Sequence, residues 1–232
     1  MLGTGVIGAI MGAIALRNQL TARVDAVLAA KAVAHIDQTN ESDLNFITRL
    51  AQRFDAVATV KKGLLLFLPI TGTTISTGKP LPSATIARAK GDSHLYHTSD
   101  RVAYRGVRAY WHAPQRAQRR SVLVGLSGNA KRLKESHASE ADAHAAAQAE
   151  WGRIQRGAAT FELTLALGLP QIAPQTPEQV NGFKPEIDGT DWLVVKAGHR
   201  VGDGGFTTRL EMERNHAAHQ KPAAPYAPSW TL

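Results

Sequence analysis

The cleanest alternation of apolar and polar positions lies near the end of the chain. Phe206, Thr208, Leu210 and Met212 fall on one side, and Thr207, Arg209, Glu211 and Glu213 on the other. A period of two is the mark of a half-buried strand. Trp192–Val201 forms the preceding arm, and Asp203-Gly204, flanked by Gly202 and Gly205, supplies a tight hairpin turn. No helix follows Gly205, so the Gly-rich turn has no helix N-terminus with which to hold a phosphate. The same period recurs over Ala158–Ala166, with Phe161, Leu163 and Leu165 inward and Thr160, Glu162 and Thr164 outward.

Helical patterns lie upstream. Thr4 can cap a helix from Gly5 to Gln19 that contains the longest apolar run, Val6–Leu16, which predicts cover on several sides. Ala22–Ala34 reads as a second helical segment or as irregular. Asn40 is a candidate N-cap, with Asp43 in the first turn and Leu44, Ile47, Leu50, Ala51 and Phe54 along one face. Val57–Val60 and Leu64–Leu68 read as strands joined by a Lys61-Lys62-Gly63 turn. Ser139, with Asp142 three residues on, starts a helix that Gly157 stops, anchored by Trp151 and Ile154. Between these helices, Asp100–His112 contains a strand, and Ser121–Leu126 reads as another short one. Pro69–Ser83 and Gly168–Asn181 read as Pro-containing loops, and Arg214–Leu232, with three prolines and no period, as a disordered tail.

The pattern is that of an α+β chain. An N-terminal helix-plus-hairpin domain is expected over residues 1–90. A mainly β, tube-like domain with one packed helix is expected over 91–213, with the tail over 214–232. Apolar residues make up 44 %, enough for real cores, and there is no cysteine to form a disulfide, a thiolate metal site or a nucleophile. The 11-residue apolar run falls short of the roughly 20 residues that span a bilayer and lacks a preceding basic stretch, so neither a membrane anchor nor a signal peptide is expected.

The formal charge is +8, and nine Lys/Arg lie between Arg101 and Glu135 against one acid, Glu135. Arg105, Arg108, Arg116, Arg119, Arg120, Lys131 and Arg132 form a candidate basic contact surface for an acidic partner or for non-specific DNA contact. Tyr104, Tyr110 and Trp111 in the same region could stack on bases or simply pack. No helix-turn-helix or zinc-finger pattern accompanies them. Catalytic constellations are missing too: there is no nucleophile elbow, phosphate loop or zinc-protease motif. His94 with His97, and His216 with His219, are pairs, whereas a metal site needs three or four ligands. No catalytic residue, cofactor or metal site is expected.

Three stretches resemble one family. They are QTNESDLNFITRLAQRFDAVATVKKGLLLFLP, the GKPLP segment, and AEWGRIQRGAATFELTLALGLP running into FKPEID and GDGGFTTRLE. They resemble the phage late control gene D proteins. ESDLNFITRL is more loosely similar to the spike hubs of type VI secretion systems, and both groups resemble the baseplate hub of T-even phages. The resemblance implies a structural hub of a contractile phage tail or phage-tail-like particle, with no catalytic residue or cofactor. It also implies a homotrimeric ring joining the tail tube protein to the central spike protein, beside the tape-measure protein. The location implied is the virion, assembled in the bacterial host cytoplasm.

For such a ring, Phe161, Leu163, Leu165, Trp192, Val194, Phe206, Leu210 and Met212 mark the candidate assembly strands. Strand edges could continue a sheet between subunits, and Pro at Leu210 is expected to abolish assembly by breaking the ladder. Family members usually carry another β domain upstream of the point where Met1 stands. An earlier start, a split or truncated gene, or a shortened hub are the corresponding expectations. The alternative reading is a basic nucleic-acid-associated or scaffold protein outside any particle, or a prophage remnant.

Overall fold

The computed structural model describes residues 5–33, 36–70, 84–88, 93–99, 104–113 and 118–215. In chain order the elements are β1 (Gly5–Val6), α1 (Ile7–Arg17), β2 (Thr21–Val24), α2 (Ala26–Ala29), β3 (Ala32–Val33), α3 (Asp43–Arg53), β4 (Ala56–Lys61) and β5 (Leu64–Pro69). They continue with β6 (Ala84–Ala87), β7 (Ser93–Thr98), β8 (Gly106–Ala113), β9 (Gln118–Gly125), β10 (Ala130–His137), α4 (Glu140–Arg156) and β11 (Ala159–Leu165). Last come β12 (Pro177–Asn181), α5 (Pro185–Asp188), β13 (Trp192–Gly202) and β14 (Gly205–Arg214). The chain is mixed α+β and mostly strand. It separates into two compact units, each discontinuous in sequence: β6, β7, β11–β14 and α5 form one, and the remaining elements the other.

The first unit has two cores. In one, α1 and α3 pack with the sheet β2-β5-β4. Helix α1 buries Ile7, Ile10, Met11, Ile14 and Ala15, the i, i+3, i+4, i+7, i+8 stripe of an amphipathic helix. Cover on several sides was the expectation, but Leu16 is 81 % exposed. The helix is also shorter than expected: Val6 is its N-cap, and Gly5–Val6 pairs with Ala32–Val33. The expected cap, Thr4, lies outside the described residues. The ambiguous segment that follows holds β2, which pairs in parallel with β5, then the short α2 capped by Asp25, then β3.

Ser42, not Asn40, caps α3, its hydroxyl accepting from the Asn45 N–H at 3.2 Å, while Asn40 takes φ +53. Phe46, Ile47, Leu50 and Ala51 form the buried face, and Leu44 points outward. The β4–β5 hairpin turns at Lys62-Gly63, both at positive φ, as a two-residue hairpin loop demands.

In the other core α4 lies on the sheet β10-β8-β9. Ser139 caps α4: its hydroxyl accepts from the Asp142 N–H at 3.1 Å and donates to the Asp142 carboxylate at 2.8 Å. Alanines Ala143 and Ala147, fully buried, let the helix approach Val107 and Ala109 closely. Strand β10 was not expected, because Lys131–Glu135 carries no alternation. It pairs in parallel with β8 and bulges between Arg132 and Ser136.

The second unit is a six-stranded sheet in the order β6-β12-β13-β14-β11-β7. The β13–β14 hairpin matches the expectation, with Gly202 opposite Gly205 across Asp203-Gly204. A bulge between Val194 and Lys196 changes the parity of β13. Trp192 and Val194 are therefore inward before it, whereas Ala197 lies opposite the inward Leu210 after it. Strand β11 alternates buried and half-buried along its whole length. The stretch 168–181 was expected as loop only, yet Pro177–Asn181 forms β12, paired with both β13 and β6. Within FKPEID, the Asp188 carboxylate accepts from the Gly182 and Phe183 N–H groups, and the Trp192 indole donates to the Ile187 carbonyl at 3.0 Å. The expected loop over 71–83 and the tail from residue 216 lie outside the described residues.

Candidate functional site

Two sets of residues were singled out from sequence, and the fold treats them differently. The assembly-strand set is brought together. Phe161, Leu163, Leu165, Trp192, Val194, Leu210 and Met212 all lie in the core of the six-stranded sheet, each no more than 4 % exposed. Register explains the convergence: Phe161 faces Met212, Leu163 faces Leu210, and Val194 faces Met212 from the other side. Phe161 adds ring contacts with Trp192 at 5.3 Å and Phe183 at 5.1 Å. Phe206 alone is half-buried; it stacks on His199 at 5.9 Å and sits over Gly168.

These strands are interior. Strands β11, β13 and β14 each have neighbours on both sides within the chain, and among the described residues the sheet ends at β6 and β7. Leu210 is paired to both Leu163 and Ala197, so a proline there breaks the chain's own sheet before it reaches any edge.

The basic set is divided. Cross-strand register sorts β8 and β9 into two faces. Val107, Ala109 and Trp111 lie opposite Val124, Val122 and Arg120 on the side that packs on α4. Arg108, Tyr110 and His112 lie opposite Leu123, Ser121 and Arg119 on the other side. In β10, Lys131 aligns with Val107 and reaches Glu150 of α4 at 2.5 Å, whereas Arg132 aligns with Arg108.

Arg108, Arg119 and Arg132 therefore share one open face. Arg120 and Lys131 are on the helix side, Arg105 is exposed ahead of β8, and Arg116 lies outside the described residues. On the open face Arg108 donates to the Ser121 hydroxyl at 3.2 Å, and the Arg119 guanidinium sits 4.0 Å from the centre of the Tyr110 ring. Sequence reasoning missed Ser121, Leu123 and Ser136 as members of this face. Knowing the register of three strands would have found them.

The first unit also holds a cleft of about 880 Å³, lined among others by Arg49, Arg53, His137, Asp142, Glu150 and Arg153. Burial, and then the charge of Arg53, push the His137 imidazole below its usual range, opposed by Glu135 and Asp142. Its Nε2 is buried with no hydrogen-bond partner among the described residues. The Asp43 carboxylate is held below its usual range by hydrogen bonds from Gln38 and Asn18, with a smaller contribution from Arg17. A hydrogen bond to Glu41 raises Arg49. Among the described residues no group of three His, Cys, Asp or Glu could hold a metal. His94 packs its ring on Phe183 at 5.0 Å and Phe161 at 5.9 Å. His216 and His219 lie outside the described residues. No helix among the described residues is long and apolar enough to cross a membrane.

The described residues form a mostly β chain, one unit of which is a six-stranded sheet. Comparison with known proteins gives the family. The family model for "Phage tail baseplate hub (GPD)" matches residues 5–205, and the chain belongs to that family. The chain is 39 % identical over 248 residues to the probable baseplate hub protein of Escherichia phage 186, and 38 % identical over 247 residues to that of Escherichia phage P2. Each alignment covers 89 % of this chain and 64 % of the relative, so the chain spans less than two thirds of their length.

Among solved structures, the tail protein from Neisseria meningitidis MC58 aligns with a TM-score of 0.67 at 13 % identity, over 92 % of this chain and 68 % of that one. The 43 kDa tail protein of prophage MuSo2 from Shewanella oneidensis aligns with a TM-score of 0.60 at 17 % identity, over 93 % and 66 %. At these identities the likeness is one of fold.

Proposed function

We propose that this chain is a structural hub component of a contractile phage tail or phage-tail-like particle, joining the tail tube to the central spike within a homotrimeric ring. The observation that carries the reading is the family match over residues 5–205, together with relatives named as probable baseplate hub proteins. The role is structural rather than catalytic. Its neighbours in the particle are further copies of the chain, the tube protein, the spike protein and the tape-measure protein, and its place is the virion tail, assembled in the host cytoplasm.

The six-stranded sheet supplies the wall that such a ring needs. Phe161, Leu163, Leu165, Trp192, Val194, Leu210 and Met212 make that wall rigid from inside, with Phe206 at its half-buried margin. Strands β6 and β7 are the edges through which a sheet continues to a neighbour.

Peptide mass spectrometry of purified tail particles tests the reading. Peptides spanning residues 181–213 in stoichiometry with the spike protein are expected. Their absence from particles, with the chain present in cells, defeats it.

A further inference from the structure

The open face of the β10-β8-β9 sheet points to a function that the fold itself does not need. One face of this sheet is satisfied by α4. Its one lysine there, Lys131, is neutralised by Glu150 at 2.5 Å. The opposite face carries Arg108, Arg119, Arg132, Tyr110, His112, Ser121, Leu123 and Ser136 by register, with no carboxylate among them. Arg108 and Arg132 are direct neighbours on adjacent strands, about 5 Å apart at the backbone. Like charges placed opposite each other on a sheet repel. Neither has a carboxylate partner among the described residues.

We infer that this face binds a carboxylate-rich segment of another protein, with Arg108, Arg119 and Arg132 as the contacts. Charge complementarity demands an anion, and the face itself carries no carboxylate by register. Residues 71–83 and 216–232 contain no Asp or Glu. On the outer face of the six-stranded sheet, Glu162 is already paired with Arg209 and Glu211 with Lys196.

The aromatics decide against single-stranded nucleic acid. Trp111 turns to the α4 side, and the Tyr110 ring is covered by Arg119 at 4.0 Å, so neither offers a free stacking surface. Three guanidiniums with fixed forks, one of them steadied by Ser121, suit bidentate carboxylate recognition. The surface belongs to a different sheet from the proposed wall.

Fluorescence anisotropy of the full chain with fluorescein-labelled octaglutamate, at low and physiological salt, tests this. Binding that weakens at least tenfold in Arg108→Gln/Arg119→Gln/Arg132→Gln is the expected result. A charge-matched control, Lys31→Gln/Lys61→Gln/Lys62→Gln, should keep most of the affinity. The single reversal Arg132→Glu, on an exposed side chain, should lose several-fold with the circular dichroism spectrum unchanged. Equal weakening in both triple variants means net charge rather than a site, and overturns the inference. So does no binding of octaglutamate, or tighter binding of labelled dT8 that is lost in the same arginine triple, which assigns the face to nucleic acid. Particle composition enters none of these readouts, so failure here is separate from failure of the hub reading.

Discussion

Removing the charge of Asp55 tests how the first unit is held together. Asp55 follows α3 at φ +52, and Arg156 is the last residue of α4. The guanidinium donates to both carboxylate oxygens, at 2.5 and 2.7 Å, and the side chains are only 8 % (Arg156) and 20 % (Asp55) exposed. Around this pair the α3–α4 junction is polar: Arg153 donates to the Gln52 carbonyl at 2.9 Å, and Arg53 lies 3.7 Å from Asp142.

Breaking a fully buried pair from one side costs about 3–5 kcal/mol, because the remaining charge is left in a poor dielectric. The partial exposure of Asp55 trims that to about 3 kcal/mol for Asp55→Asn, and Asn tolerates the positive φ. At about 2–4 °C per kcal/mol for a chain of this size, the melting transition falls by roughly 9 °C. Arg156→Met added to Asp55→Asn removes the guanidinium as well, and the difference between the two variants measures how much of the loss its charge accounts for. Thermal unfolding followed by circular dichroism measures the loss, and hydrogen exchange of the α4 amides locates it. A single-variant loss under about 0.5 kcal/mol refutes the reasoning.

Three further outcomes are expected. A Cβ at Gly168 would meet the Phe206 ring at 2.3 Å, so Gly168→Ala should displace that ring from His199 and cost about 1–3 kcal/mol, read by denaturant unfolding and by the ring shifts of Phe206 in NMR. The folded-state pKa of Asp43 lies below the ordinary 3.8, so its contribution is present above 3.8 and is lost as pH falls through the depressed value. Acid unfolding of Asp43→Asn should lack that component. The His137 pKa is likewise depressed from 6.5, so its contribution is full above 6.5 and declines as pH falls through the lower value. Arg53→Gln should move the NMR titration of His137 back toward 6.5.

Local chemistry in the sequence was enough for the elements whose causes are local. Alternation in Phe206–Glu213 and Thr160–Leu165, the Asp203-Gly204 and Lys62-Gly63 turns, and the Ser139–Asp142 cap each read correctly, because each depends on residues a few positions apart. Basic character between Arg101 and Glu135 was equally legible, and so was the family likeness.

Tertiary structure alone decided the rest. The Val194–Lys196 bulge is invisible in an unbroken apolar run, and β2, β6 and β10 pair in parallel with strands far away in sequence. Sequence order offers contiguous domains, whereas the chain leaves one unit to form β6 and β7 and then returns to it, which no local period records. The same holds for the basic residues. Their number was written in the sequence, but which of them share a face follows from the register of three strands, because a shift of one residue sends a side chain to the opposite side of a sheet.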